Sequence, residues 1–249
     1  MPYTALLQEP QRSFLDKLRP YKFEEGEILL IHKPLEWTSF DVIKKLRRHL
    51  GAKVGHAGTL DPLAEGLLIL CTGKKTKEIS SIQGAEKEYT GTICLGAERP
   101  SCDKETEISK TYPLEGINHE MIVEAAHYFE GGYKQVPPVF SAKKVNGKRA
   151  YDLARKGKEV NLEGNDVEVM RFEIVSVSLP MVYFRVVCGK GTYIRSLARD
   201  HGNQLGCGGY LETLTRTRIG DFRLENAMSP DDLIRQLSTY ADPLTKKYA

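Results

Sequence analysis

Helical and strand-like patterns are interspersed along this chain, and several strand-like runs pair off as hairpins. That predicts an α+β fold with a central mixed, mainly antiparallel sheet flanked by helices. Three observations carry the prediction. The β-rich runs at residues 167–179 and 181–188 are separated only by Pro180, a spacing that suits an antiparallel hairpin. Residues 38–50 set Val42, Ile43, Leu46 and Leu50 on one helical face. The 249 residues, 41% of them hydrophobic, are enough for a sizeable core, and no repeat, low-complexity stretch or clear linker divides them.

In order, residues 1–26 are polar and punctuated by proline. They read as an N-terminal extension with a short helix at 13–18, ahead of one domain over residues 27–249. Residues 27–33 form a buried strand ended by Pro34. Thr38 and Asp41 resemble a capping box at the start of the first helix. Residues 67–72 are a second buried strand, and 88–95 a half-buried one with Tyr89, Gly91, Ile93 and Leu95 on one side. A helix is predicted over 119–130, ended by Gly131-Gly132, and another over 192–205 with Gly206 as its C′ residue. Residues 213–224 read as strand. Ser229-Pro230-Asp231-Asp232 opens a last helix, with a serine cap, proline in the first turn and acids near the positive end of the dipole.

Charged residues make up 28% of the chain, so it reads as globular rather than disordered. The five cysteines form no CxxC and no zinc-ligand spacing. With no secretory signal at Met1-Pro2-Tyr3-Thr4, they read as reduced thiols in a cytoplasmic protein without a metal. No apolar run approaches the ~18 residues of a membrane span.

A net charge of +3 neither demands nor excludes a nucleic-acid partner, so distribution decides. Lys143, Lys144, Lys148, Arg149, Arg155, Lys156 and Lys158 are opposed only by Asp152. The first helix carries Lys44, Lys45, Arg47, Arg48 and His49 on its polar face. Arg195, Arg199, Arg216 and Arg218 form a third group. Segregated charge on a near-neutral chain is the footprint of phosphate-backbone binding. Phe140 and Tyr151 flank the largest cluster, either to stack on bases or as core.

The run Gly55-His56-Ala57-Gly58-Thr59-Leu60-Asp61-Pro62-Leu63-Ala64-Glu65-Gly66 presents one carboxylate, Asp61, on a loop dense in glycine and proline. Lys87-Glu88-Tyr89 and the Gly-rich turn Gly189-Lys190-Gly191-Thr192-Tyr193-Ile194-Arg195 complete a candidate site, the turn's free N–H groups suiting a phosphate. Neither glycine-rich stretch has Walker A spacing, which argues against ATP hydrolysis. No second acid suggests a glycosidase pair, and no Gly-x-Ser-x-Gly elbow accompanies His56. A lone carboxylate near an arginine suits a nucleophile or base. The residues alone give a nucleic-acid enzyme with a loop aspartate, its chemistry open.

At these motifs the chain resembles the bacterial TruB family of tRNA pseudouridine synthases. The Asp61 loop, Lys87-x-Tyr89, the segment from Pro137-Pro138 to Tyr151, Lys190-Gly191-Thr192-Tyr193-Ile194-Arg195 and Leu205-Gly206-Cys207-Gly208 occur in family order, from about Ile28 to Asp232. The resemblance implies the pseudouridine synthase catalytic fold and isomerisation of uridine at tRNA position 55. Asp61 would attack the target nucleotide, either at the sugar through a glycal intermediate, the favoured account, or on the base. Arg195 would pair with Asp61 and hold it ionised. Tyr89 would stack on the flipped base and assist proton removal at C5. Tyr193 and Leu214 would line the base pocket, with Asp103 a further candidate there, and His56 would fill the space vacated in the RNA loop. Lys33, Lys143 and Lys144 would contact RNA. The resemblance implies no cofactor, tRNA through its T-arm as the only partner, and a monomer. Arg99-Pro100-Ser101-Cys102-Asp103 departs from the family's usual Thr-x-Thr-x-Asp. Too few residues follow the last predicted strand for the C-terminal RNA-binding domain that many members carry. The rival readings are a non-catalytic tRNA-folding chaperone on the same scaffold and a hydrolase with Asp61 as nucleophile. An intact Asp61, Tyr89 and Arg195 set favours the isomerase.

Overall fold

Leu67, Leu68, Ile69 and Leu70 are fully buried, which a strand achieves only when both faces are covered. In the computed structural model of the chain, which describes residues 21–141, 143–145, 148–150 and 162–241, they form the middle of β3 (Glu65–Thr72). Leu68 and Leu70 join Leu29 and Ile31 of β1 (Ile28–Lys33) against Val42, Leu46 and Leu50 of α1 (Ser39–Leu50). Leu67, Ile69 and Cys71 pack instead with Ile82 and Ile219. The predicted capping box on α1 is present: Thr38 accepts the Asp41 N–H, and the Asp41 carboxylate accepts that of Thr38.

Among the described residues, the main sheet has nine strands. β1 and β2 (Val54–His56) both pair antiparallel with β3. β3 meets β12 (Gly209–Ile219) in a short parallel contact, Thr215 opposite Glu65 and Arg216 opposite Gly66. Next come β4 (Lys87–Leu95), β11 (Met181–Cys188), β10 (Asn165–Ser178) and β7 (Gly131–Gln135), all antiparallel. The predicted hairpin across Pro180 is the β10–β11 pair. α3 (His119–His127) and α4 (Ile194–Gln204) cover this half of the sheet through Ile122, Ala126, Ile194 and Leu197. α2 (Ile79–Gly84) follows a 3-10 turn at Gly73–Glu78. α5 (Pro230–Ala241), capped by Ser229 as predicted, packs Leu233 with the α1 cluster, on which Tyr21 and Phe23 also lean. The α+β fold with a mixed, mainly antiparallel sheet is observed.

Several predicted boundaries move. The helix expected over 119–130 ends at His127, and Gly131 and Gly132 open β7 instead of capping it. Gly131, at φ 94°, sits in the left-handed region where the chain turns onto the sheet edge. β4 does not stay half-buried: Thr92 to Leu95 are all buried, because Ala97 and Tyr210 cover its second face around Cys94. β12 begins at Gly209 rather than residue 213, and α4 at Ile194 rather than 192. β5 (Ala97–Glu98), β6 (Lys110–Thr111), β8 (Lys144–Val145), β9 (Lys148–Arg149) and β13 (Phe222–Arg223) are too short to leave a periodic signal. The predicted helix at 13–18 lies outside the described residues, as does part of the basic run at 143–158. Among the described residues, no helix is long and apolar enough to cross a membrane, and no group of three His, Cys, Asp or Glu side chains could hold a metal ion.

Candidate active site

The Asp61 loop hangs between β2 and β3 and is tied down along its length. The Ser39 hydroxyl accepts the Leu60 N–H at 2.9 Å and donates to the Leu60 carbonyl at 3.2 Å. The Pro62 carbonyl accepts the Glu36 N–H at 2.8 Å, and the Ala57 N–H reaches the Ile69 carbonyl at 2.9 Å. Gly58, at φ 99°, makes the turn just before the acid. Asp61 thus stands on a fixed loop with its side chain 43% exposed.

Arg195, in the first turn of α4, is only 5% exposed. Its Nε lies 2.9 Å from Asp61 Oδ2 and 3.6 Å from Asp103 Oδ2. Its two Nη groups donate to the carbonyls of Ser101 at 3.2 Å and Phe140 at 3.0 Å. The guanidinium is therefore oriented independently of Asp61. Asp103 also accepts the Glu105 N–H at 2.9 Å. The turn that carries it includes Cys102 at φ 61°, a left-handed conformation unusual for a side-chain-bearing residue.

Asp61 and Arg195 border a cavity of about 630 Å³, within the size range of small-molecule sites. Tyr89, Tyr193, Leu214, Lys87 and Arg216 are on its wall, with the exposed Glu105 at its edge. Tyr89 is nearly buried, and burial pushes its phenol pKa up. Lys87 Nζ donates to the carbonyls of Gln83 and Ala85 at 2.7 and 2.5 Å, and burial pushes its pKa down. Tyr193 is fixed by Gln135, whose amide accepts the Tyr193 N–H at 2.8 Å and donates to its carbonyl at 3.2 Å.

The structure thus brings Asp61, Tyr89, Arg195, Tyr193 and Leu214 to one cavity. Asp103 is corrected: it stands behind Arg195 and is not on that wall. The Gly-rich turn is a weaker phosphate cradle than expected, because the N–H groups of Gly189 and Tyr193 are already spent on Glu168 and Gln135. His56 sits on β2 opposite Leu70, half-buried and off the cavity wall, and burial lowers its pKa. Lys143 Nζ donates to Asn165 Oδ1 at 2.5 Å. The side chain of Lys144 lies outside the described residues.

Lys33 is the second correction. It is fully buried, and its Nζ donates to the carbonyls of Pro34 and Trp37 at 2.9 and 2.5 Å, so it holds the β1–α1 turn and cannot reach RNA. Burial lowers its pKa from 10.5 to about 8, against the opposing pull of Asp61 and Glu65. Between these values the unfolded chain binds the proton that the folded chain has released. Stability therefore rises with pH from about 8 to 10.5, and the penalty is fully present below about 8. Urea unfolding of wild type is expected to show this slope relative to Lys33→Met. Parallel pH profiles for the two proteins would contradict it.

Sequence reading missed Ser39 and Gln135, which aim the site, and placed Arg216 on a basic surface although it is 1% exposed. Alternation held a signal for both buried cations. Leu29, Ile31 and Lys33 share the inward side of β1, as Leu214 and Arg216 share that of β12.

The family model described as TruB family pseudouridylate synthase (N terminal domain) matches residues 44–194, a span containing Asp61 and Tyr89. The tRNA pseudouridine synthase B of Phocaeicola vulgatus is 54% identical over 214 residues, covering 83% of this chain and 91% of that protein. Its namesake in Flavobacterium johnsoniae is 49% identical over 219 residues, covering 85% and 96%. Among solved structures, the archaeal box H/ACA sRNP Nop10-Cbf5 complex aligns at TM-score 0.67 and 25% identity, over 91% of this chain and 58% of that one. With the family model matched over more than half of the chain and the relatives aligned along most of its length, this chain belongs to the TruB family of pseudouridylate synthases.

Proposed function

We propose that the chain is a tRNA pseudouridine synthase that isomerises uridine at position 55, in the TΨC loop of the T-arm. The observation that carries this reading is the Asp61–Arg195 pair, 2.9 Å apart on the wall of a nucleoside-sized cavity beside Tyr89. A uridine inside a stacked loop is out of reach, so the nucleotide must flip into the cavity, at a cost of a few kcal/mol. Stacking on Tyr89 offsets part of that cost, and Leu214 and Tyr193 confine the base. His56 fills the space left behind in the RNA loop. Asp61 acts on the nucleotide, and the C1′–N1 bond breaks with its electron pair left on the base. The base turns and C1′ bonds to C5. The C5 proton departs, with Tyr89 assisting, and N1 takes one up. Atoms balance without an oxidant or co-reactant, so the reaction calls for no cofactor. Asp103 steadies Arg195 from behind.

Residues 27–249 act as the catalytic domain and residues 1–26 as an extension, in a monomer that works in the cytoplasm. Lys143 and Lys144 meet the RNA backbone. A groove of about 1140 Å³, lined by Lys44, Arg47, Arg48, Lys53, Lys74 and Lys77 with Glu24 the one acid, supports a long polyanionic partner. Affinity for tRNA is expected to fall steeply with salt, with a log–log slope of about −3 or steeper if four or more phosphates are held. A flat response would remove the basic groove from the interface.

The direct test is tritium release from unmodified tRNA labelled at C5 of uridine. Release is expected with wild-type tRNA and not when position 55 is cytidine. Equal release from both RNAs, or none from either, would overturn the reading.

A further inference from the structure

Arg216 is among the largest fully buried side chains of the protein. Its Nε donates to the Leu67 carbonyl at 2.8 Å, one Nη to that of Gly58 at 3.0 Å and the other to that of Thr59 at 3.4 Å. Gly58 and Thr59 form the turn that aims Asp61, and Leu67 belongs to β3. Tyr89 is the cross-strand partner of Arg216 in β4 and shares the cavity wall with it. One side chain therefore ties the catalytic turn to the sheet, beside the stacking aromatic.

Among the described residues, no carboxylate lies within 4.0 Å of Arg216, the salt-bridge limit that Asp61 and Arg195 satisfy. A buried cation satisfied by backbone carbonyls is costly, and its charge does nothing that neutral donors could not do for the fold. The neighbouring Lys33 and Lys87 are cations too, and Arg216 opposes the charging of both. The cavity wall thus holds two cations, Lys87 and Arg216, in addition to the paired Asp61 and Arg195. The isomerisation brings a further anion, because the electron pair of the broken C1′–N1 bond resides on the base before C1′–C5 forms. A fixed positive group aimed at developing charge acts in the transition state more than in the ground state.

We propose, resting on the isomerase reading above, that Arg216 is a positioning residue for the reaction. It clamps the Gly58–Thr59 turn to β3, directly across the sheet from Tyr89. Asp61 and Tyr89 thereby reach the nucleotide in register, and the unpaired charge of Arg216 stabilises the base while it is detached.

Arg216→Lys keeps the charge but cannot span three carbonyls, and Arg216→Met removes both. For Arg216→Lys, the single-turnover rate at saturating tRNA is expected to fall about 100-fold, with tRNA affinity held within about threefold, as for a reacting group misplaced by about 1 Å. Arg216→Met is expected to lose at least a further tenfold or so, the share belonging to charge. Hydrogen exchange of the amides at residues 57–60 is expected to quicken about tenfold or more in both variants, because the turn opens more often. A merely structural arginine would lower the melting temperature and leave the rate of the folded fraction near wild type. An Arg216→Lys rate within about threefold of wild type would overturn the proposal, as would a loss confined to affinity. If Arg216→Met does not fold, Arg216→Lys decides alone. Should wild type itself form no pseudouridine, the isomerase reading fails. Unchanged exchange at residues 57–60 would still refute the clamp.

Discussion

Asp61→Asn is expected to lower the single-turnover rate of pseudouridine formation by about 10⁴-fold or more, the scale on which loss of a nucleophile is felt. The amide has nearly the shape of the carboxylate but neither its charge nor its nucleophilicity. The fold should survive, because Arg195 keeps its bonds to the carbonyls of Ser101 and Phe140 and its contact with Asp103. The loop is held at Leu60 and Pro62 rather than by the acid itself. Affinity for tRNA should stay within about threefold of wild type, since Asp61 is one group in an interface governed by phosphate contacts. Rapid-quench tritium release paired with filter binding separates the two effects. A variant rate within tenfold or so of wild type would remove Asp61 from the chemistry.

Gly66→Ala is expected to be strongly destabilising. Gly66 sits where β3 meets β12 in parallel, at φ 108°, and a Cβ there would lie 2.4 Å from the Arg216 carbonyl oxygen and 2.8 Å from its amide nitrogen. Both obstacles are backbone within a sheet, so relief requires β3 and β12 to separate. The clash and the left-handed strain together are expected to cost about 4 kcal/mol or more, among the larger effects of single substitutions. Gly51 provides the control: its φ is 59°, but nothing lies within 4 Å of its Cβ position. Gly51→Ala should therefore cost only the conformational penalty of about 1–2 kcal/mol. Urea denaturation of both variants checks the contrast, and equal midpoints would contradict it.

Where local rules act, the fold was legible. The α1 capping box, the β10–β11 hairpin and the serine-capped α5 each rest on residues close in sequence. The Asp61 loop was legible for the same reason, as composition marks a rigid turn wherever it packs. What escaped depends on contacts between distant segments. Gly131-Gly132 looks like a helix stop by itself, and only its pairing with β10 makes it the start of a strand. Arg216 was counted with a basic face, and the resemblance put Lys33 on RNA, because charge alone says nothing about burial. Lys33 turns back on the carbonyls of Pro34 and Trp37 under a covered strand, whereas the carbonyls that Arg216 reaches come from about 150 positions away. Asp103 was placed with the substrate although it faces Arg195, a relation set by the backbone bridge between Asp103 and Leu211.

In the proposed reaction Asp61, held beside Arg195, drives the isomerisation of one uridine in tRNA. Nucleotide-resolution mapping of pseudouridine in unmodified tRNA, after incubation with the full chain or its Asp61→Asn variant, tests it most directly. The predicted result is a single pseudouridine at position 55 with wild type and none with the variant. Unchanged uridine at position 55 with wild type, or pseudouridine formed by the variant, would contradict it.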